Sequence, residues 1–257
     1  MILFARAGAL GDFVLSLPVL RALTTWGPVH VVTDPRYAPL LPPGATLVPG
    51  DWIWRGAAPP HAYTFAVAFS PTTAEALRAV GLPVRAVAPR PPPGVHAVDH
   101  YAGVLDGLPF DRRPRVPVVF APPLVAPPIV LAPGSGGQEK RWPLDRWRRV
   151  AESLGGPVVW VRGPVEAEED WPVDAVCPDL PGLVALAAGC AAWLGPDSGP
   201  SHLAAAAGAC VGVVFGVTDP ACWAPVGSVV WPWDTAPDAL AAWAVASSSA
   251  SGFTHRT

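Results

Sequence analysis

Residues 192–216 read AWLGPDSGPSHLAAAAGACVGVVFG, and this stretch decides the fold. It opens on a short apolar strand, Ala192–Leu194, breaks at a loop of glycine, proline and serine, and resumes as an alanine-rich helix from His202. It closes on Val211–Phe215, which is β-branched and apolar. Neither strand alternates with polar residues, so each is expected to be covered on both faces, as in a parallel sheet. Residues 198–218 contain no Asp, Glu, Lys or Arg, a length that could span a bilayer. The Ser-Gly-Pro-Ser-His opening and the valine-rich ending predict instead a buried helix feeding a buried strand, in a soluble chain.

The same alternation runs outward in both directions. Ile2–Ala5, Val29–Thr33, Phe65–Phe69 and Val84–Ala88 read as strands, with a weaker run at Val116–Phe120. Helical spacing falls at Phe13–Thr25, Thr73–Val80 and Val98–Leu108. The second half adds strands at Ile129–Ala132 and Val158–Val161, with helices at Pro143–Leu154, Leu183–Cys190, His202–Ala207 and Asp238–Ala246. Two such blocks predict two Rossmann-like, doubly wound α/β domains. The proline-laden 121–128 segment serves as a stiff boundary. This gives domains over 1–125 and 126–246, followed by a small, polar tail at 247–257 expected to be flexible.

Composition narrows the function. With 51% hydrophobic and 14% charged residues the chain is no disordered polymer. The four cysteines (Cys177, Cys190, Cys210, Cys222) form no CxxC pair, so neither a zinc knuckle nor a disulfide scaffold is indicated, and a reducing cytoplasm fits. Asp12 interrupts the first apolar stretch, and a signal peptide is not expected. Residues 1–125 are net basic and 126–257 net acidic. The basic half suits an anionic glycan or the cytoplasmic face of a membrane, although scatter between two unlike domains gives the same numbers. No charge block is long enough for nucleic-acid binding.

In open α/β sheets ligands bind where strands give way to helices, and four loops there carry candidate chemistry. In Arg6-Ala-Gly-Ala-Leu-Gly-Asp12, glycines allow close backbone approach, but the spacing is not that of a nicotinamide site. Asp12 is either a helix N-cap or a catalytic base. In Pro133-Gly-Ser-Gly-Gly-Gln-Glu-Lys-Arg-Trp-Pro143, Ser135 and Gly136 precede Lys140, the only lysine beside 16 arginines. A compact ammonium suits a phosphate oxygen, with solvated surface as the alternative; the loop is no Walker A motif. In Gly195-Pro-Asp-Ser-Gly-Pro-Ser-His202, Asp197, Ser198, Gly199 and His202 gather at a helix start that favours anions. No GxSxG elbow accompanies them, so diphosphate cradling fits better than a hydrolase relay. Glu166, just past a strand, could accept from ribose hydroxyls or simply complement a helix dipole. No metal cluster is visible, and no cofactor is expected.

Together, RAGALGDFVLSLPVLRAL, LAPGSGGQEKRWPLDRW, GPDSGPSHLAAAAG and FGVTDP resemble glycosyltransferase family 9, the ADP-heptose:lipopolysaccharide heptosyltransferases. The resemblance implies the GT-B architecture: two Rossmann-like domains facing across a cleft, acceptor in the first and nucleotide sugar in the second. It implies Asp12 as general base and Lys140 as the grip on the donor phosphates, with Ser135 and Gly136 in the phosphate loop. Glu166 then matches the acid on the ribose, and Asp197, Ser198, Gly199 and His202 the diphosphate signature. Val217 stands where the family usually has proline, and the chain is short for the family.

The implied reaction is inverting transfer of a heptose-type sugar from a nucleotide diphosphate donor, with ADP-heptose the family expectation, to an envelope glycolipid or glycan. Peripheral contact with the inner membrane surface would follow from such an acceptor. A nucleotide-sugar-binding protein without turnover and a GT-B nucleotide-sugar epimerase are the alternative readings.

Overall fold

A computed structural model describes residues 1–108, 127–166, 171–172 and 174–251. The chain divides into two units, Met1–Val118 and Val119–Thr257, each built on its own sheet. The first unit holds β1 (Ile2–Ala5), β2 (Val29–Val32), β3 (Ala45–Leu47), β4 (Phe65–Ala68) and β5 (Val84–Ala86), in the order β3-β2-β1-β4-β5. Every pairing is parallel. Its helices are α1 (Leu10–Thr24), α2 (Asp51–Trp54), α3 (Pro71–Ala79) and α4 (Ala97–Ala102). Ala5 lies opposite both Val32 and Ala68, so three strands end level and their loops emerge together.

The second unit repeats the plan in another order. Its strands β6 (Ile129–Leu131), β7 (Val158–Trp160), β8 (Ala192–Pro196), β9 (Val211–Phe215) and β10 (Val229–Pro232) lie as β10-β9-β8-β6-β7, again all parallel. The helices are α5 (Leu144–Leu154), α6 (Leu180–Gly189), α7 (Gly199–Ala206), α8 (Pro220–Trp223) and α9 (Pro237–Ser251). Strand direction of travel reverses between β1 and β4 in one sheet and between β6 and β8 in the other. Such switch points open a crevice beyond the strand ends, which puts 6–9 in the first unit, and 132–141 and 197–198 in the second, at the ligand-binding position of each sheet.

The structure adds what weak apolar signals hid. β3 and β10 are edge strands of three and four residues and α2 is a single turn, each too short to stand out by pattern alone. Several helices begin earlier than their periodicity suggests because a cap precedes it. Ser70 accepts from the Thr73 amide and Asp179 from Gly182, each with proline in the first turn; Asp219 caps the short α8, which the sequence did not announce, in the same way. That is where a proline's missing N–H is not needed. The helix expected to stop at Ala246 runs to Ser251, so the first residues of the expected tail are helical. The strand expected at Val116–Phe120, and 121–126 of the proposed boundary, lie outside the described residues. No helix among the described residues is long and apolar enough to cross a membrane.

Tryptophan fills the second core. Trp142 and Trp147 pack edge to face with centroids 5.0 Å apart, and both join Trp160, Leu131 and Leu194 in one buried cluster with Leu240 and Ala244 of α9. The Trp142 indole N–H donates to the Trp233 carbonyl at 2.8 Å, which fixes the end of the 133–143 loop. Truncating a fully buried aromatic removes its burial and leaves a cavity. Trp147→Ala is expected to cost about 3–5 kcal/mol in urea unfolding; a loss below about 1 kcal/mol would show that this core repacks freely.

Candidate functional site

In the first unit the chain leaves β1 at Arg6 and enters α1 through Gly8 and Ala9. Gly8 has φ +135°, and a Cβ there would stand 2.9 Å from the Asp12 carboxylate, so the turn needs glycine on both counts. Ala9, not Asp12, is the N-cap. Asp12 occupies the third helical position, where its Oδ2 accepts from the Ala9 amide at 3.3 Å and its Oδ1 pairs with Arg6 Nη2 at 3.1 Å. Its side chain stays 36% exposed, whereas that of Arg6 is 2% exposed. Asp12 therefore supports its helix start and also presents a carboxylate edge outward, reconciling the two readings of the sequence. The Tyr37 hydroxyl donates to the Gly8 carbonyl at 3.2 Å and steadies the loop.

In the second unit the switch point gathers most of the expected donor-site residues around one carboxylate. Asp197, at the end of β8, is buried. Its Oδ2 accepts from Lys140 Nζ at 2.7 Å and from the Thr218 hydroxyl at 2.8 Å; its Oδ1 faces His202 Nε2 at 3.4 Å. The Ser135 hydroxyl donates to the Asp197 carbonyl at 3.3 Å. Burial alone would push this carboxyl up, but hydrogen bonds and charge from His202 and Lys140 outweigh it and hold the pKa down to about 2.

Ser198 caps α7: its hydroxyl accepts from the Ser201 amide at 3.4 Å. Gly199 is the first helical residue, and Pro200 has no N–H, so the Ser198 and Gly199 amides are uncommitted among the described residues and point the positive helix end at the crevice. The Ser198 hydroxyl meets Ser201 at 3.2 Å rather than His202, so no serine relay exists here. Gly136 faces open space, with no atom within 4 Å of a Cβ placed on it.

Glu166, expected at the ribose, is buried. Its side chain is 3% exposed, paired with Arg141 Nη2 at 3.5 Å, and it accepts from the Gly163 amide at 2.5 Å. A Cβ on Gly134 would come within 2.5 Å of it. Arg141 Nε in turn donates to the Ser135 carbonyl at 2.7 Å, so Glu166 supports the 133–143 loop through Arg141. Sequence reasoning assigned no role to Thr218 or Arg6, and gave Arg141 only a charge. Thr218 lies within the quoted FGVTDP block; Arg6 and Arg141 lie within quoted loops, but nothing in spacing distinguished a buried arginine from a surface one. No group of three or more His, Cys, Asp or Glu among the described residues could hold a metal ion.

Two outcomes follow. A carboxyl whose folded-state pKa lies below its usual 3.8 stabilises the fold fully above about pH 4, and that contribution is lost as pH falls through about 2. In urea titrations the stability gap between the parent and Asp197→Asn should shrink by about 2 kcal/mol between pH 5 and pH 2; a constant gap would contradict the geometry. Gly134→Ala should destabilise by about 1–3 kcal/mol by displacing Glu166, while Gly136→Ala should leave the melting temperature unchanged. Equal effects at both glycines would refute the cradle.

Comparison with known proteins agrees with this layout. The sequence model of Glycosyltransferase family 9 (heptosyltransferase) matches residues 115–231, the segment that carries Lys140, Asp197, His202 and Thr218. No curated protein sequence matches the chain. Among solved structures, Escherichia coli heptosyltransferase WaaC with ADP aligns over 96% of this chain and 99% of that one, at 16% identity and TM-score 0.75. E. coli ADP-heptose lps heptosyltransferase II aligns over 98% and 99%, at 18% identity and TM-score 0.75. A family 9 glycosyl transferase from Veillonella parvula DSM 2008 aligns over 90% and 85%, at 19% identity and TM-score 0.73. At these identities the structures speak for the fold, that of the GT-B heptosyltransferases, and the family model speaks for the site-bearing segment. Residues 115–231 therefore match glycosyltransferase family 9, and the chain as a whole shares the fold of the solved heptosyltransferases.

Proposed function

We propose that this chain is a family 9 glycosyltransferase that moves a heptose-type sugar from ADP-heptose to a cell-envelope glycolipid or glycan, with inversion at the anomeric carbon. One observation carries the reading: the lone lysine, His202 and two uncommitted helix-start amides converge at the switch point of the second sheet, inside the segment that matches the family. Its fold relative WaaC was solved with ADP, which supports an adenine nucleotide.

The diphosphate of the donor lies against Lys140, His202 and the Ser198 and Gly199 amides, which neutralise the charge that develops as the glycosidic C–O bond breaks. Ser135 and Gly136 let the 133–143 loop approach the phosphates, and Glu166 holds Arg141 beneath that loop. Asp197 keeps Lys140 and His202 in place. Asp12 takes the acceptor hydroxyl proton as that oxygen attacks the anomeric carbon, and ADP departs with the bonding electrons. A carboxylate suffices if proton loss lags behind C–O cleavage, when the hydroxyl has become acidic. The basic first half favours an anionic, membrane-borne acceptor reached from the cytoplasmic face.

Calorimetric titration with ADP and an assay of transfer from ADP-heptose to heptose-deficient lipopolysaccharide divide the roles. Lys140→Ala should weaken ADP binding about 10- to 100-fold. Asp12→Asn should bind ADP within about threefold of the parent yet lose about 10²- to 10⁴-fold in transfer. ADP affinity untouched by Lys140→Ala, or full transfer by Asp12→Asn, would refute the assignment. Unchanged ADP binding with no product from any acceptor in the parent would leave a nucleotide-sugar-binding protein instead.

A further inference from the structure

We propose that Arg6 is the positioning residue of the Asp12 carboxylate, holding the base from beneath through a buried guanidinium. The inference rests on the reading of Asp12 as the base. Arg6 follows directly on β1, and its backbone amide still donates to the Val32 carbonyl at 2.9 Å, so the stem is fixed by the sheet. The head is 3% exposed overall, too deep to meet a substrate.

Its donors are directed to four groups. Nη2 reaches Asp12 Oδ1 at 3.1 Å and the Tyr101 hydroxyl at 2.9 Å. Nε reaches the Asp12 carbonyl at 3.3 Å and Nη1 the Phe69 carbonyl at 3.5 Å. Aromatic rings flank the cation, with centroids at 5.0 Å for Phe69 and 4.7 Å for Tyr101. Tyr101 in turn donates to the Pro89 carbonyl at 2.8 Å. The guanidinium is thus held by β1, by the loop after β4 and by α4 at once.

A buried cation needs a partner anion, and the fork geometry of arginine fixes where that anion sits. Oδ1 of Asp12 is held by Arg6 and Oδ2 by the Ala9 amide, so both carboxylate oxygens are anchored from the protein side while the outer edge stays open. A proton acceptor must be held within a fraction of an ångström of its working position. Lysine in place of Arg6 could meet Asp12 but could not reach Phe69 and Tyr101 in the same plane.

The test reads ADP release from ADP-heptose with heptose-deficient lipopolysaccharide, and with water, as acceptors. Arg6→Met should lower kcat about 100-fold with KM for ADP-heptose held within about threefold, and Arg6→Lys should recover part of that loss. Guanidinium ion in solution should raise the rate of Arg6→Ala and not that of Asp12→Asn. If Arg6→Met fails to fold, Tyr101→Phe provides the same reading, because it removes one acceptor from the guanidinium and keeps the ring: kcat should fall severalfold at constant KM. A folded Arg6→Met or Tyr101→Phe enzyme with parental kcat, beside an inactive Asp12→Asn, overturns the positioning role alone. An active Asp12→Asn overturns the base assignment beneath it.

Discussion

A carboxylate buried at the end of a strand cannot persist unless hydrogen-bond donors and positive charge come to it. Asp197 meets that constraint by drawing in Lys140 from one loop, His202 from the first turn of α7 and Thr218 from the loop after β9. Three segments far apart in sequence are thereby tied to one atom group, and the positive charge of the crevice is concentrated beyond β6 and β8. An acidic residue thus builds a positively charged crevice by organising what surrounds it. Its burial costs, and the hydrogen bonds offset that cost.

The first unit solves a mirrored problem. There the buried group is a cation, Arg6, and the carboxylate it holds is partly exposed. In both units the buried member of the pair is fixed by the sheet, and the more exposed member faces the crevice. The loops around them are held by unrelated means: tryptophan packing at Trp142 and a tyrosine hydroxyl at Gly8. Loops held so rigidly suit a chemistry that depends on position and charge more than on reactive groups.

Much of this was legible in the sequence. Unalternated apolar strands between helices gave two parallel sheets, and glycine-rich strand-to-helix loops marked the crevices. The lone Lys140 stood out because arginine replaces lysine everywhere else. Asp12 was ambiguous because its capping and its outward edge use the same carboxylate. The edge strands β3 and β10 were missed because each is only three or four residues long, too short a run to announce a strand by pattern alone. The burial of Glu166 was not legible, because sequence does not tell a carboxylate facing outward from one lodged against Gly134. Arg6 and Thr218 were silent for a similar reason: what singles them out is the burial of Arg6 and reach across 95 and 21 positions, neither of which periodicity records.

The most direct test of the account is a crystal structure of the protein soaked with ADP. The account predicts the diphosphate within hydrogen-bonding distance of the Lys140 ammonium and the Ser198 and Gly199 amides, with Asp197 still bonded to Thr218 and His202. ADP bound elsewhere, or a diphosphate that leaves Lys140 wholly on Asp197 and never meets the start of α7, would contradict it.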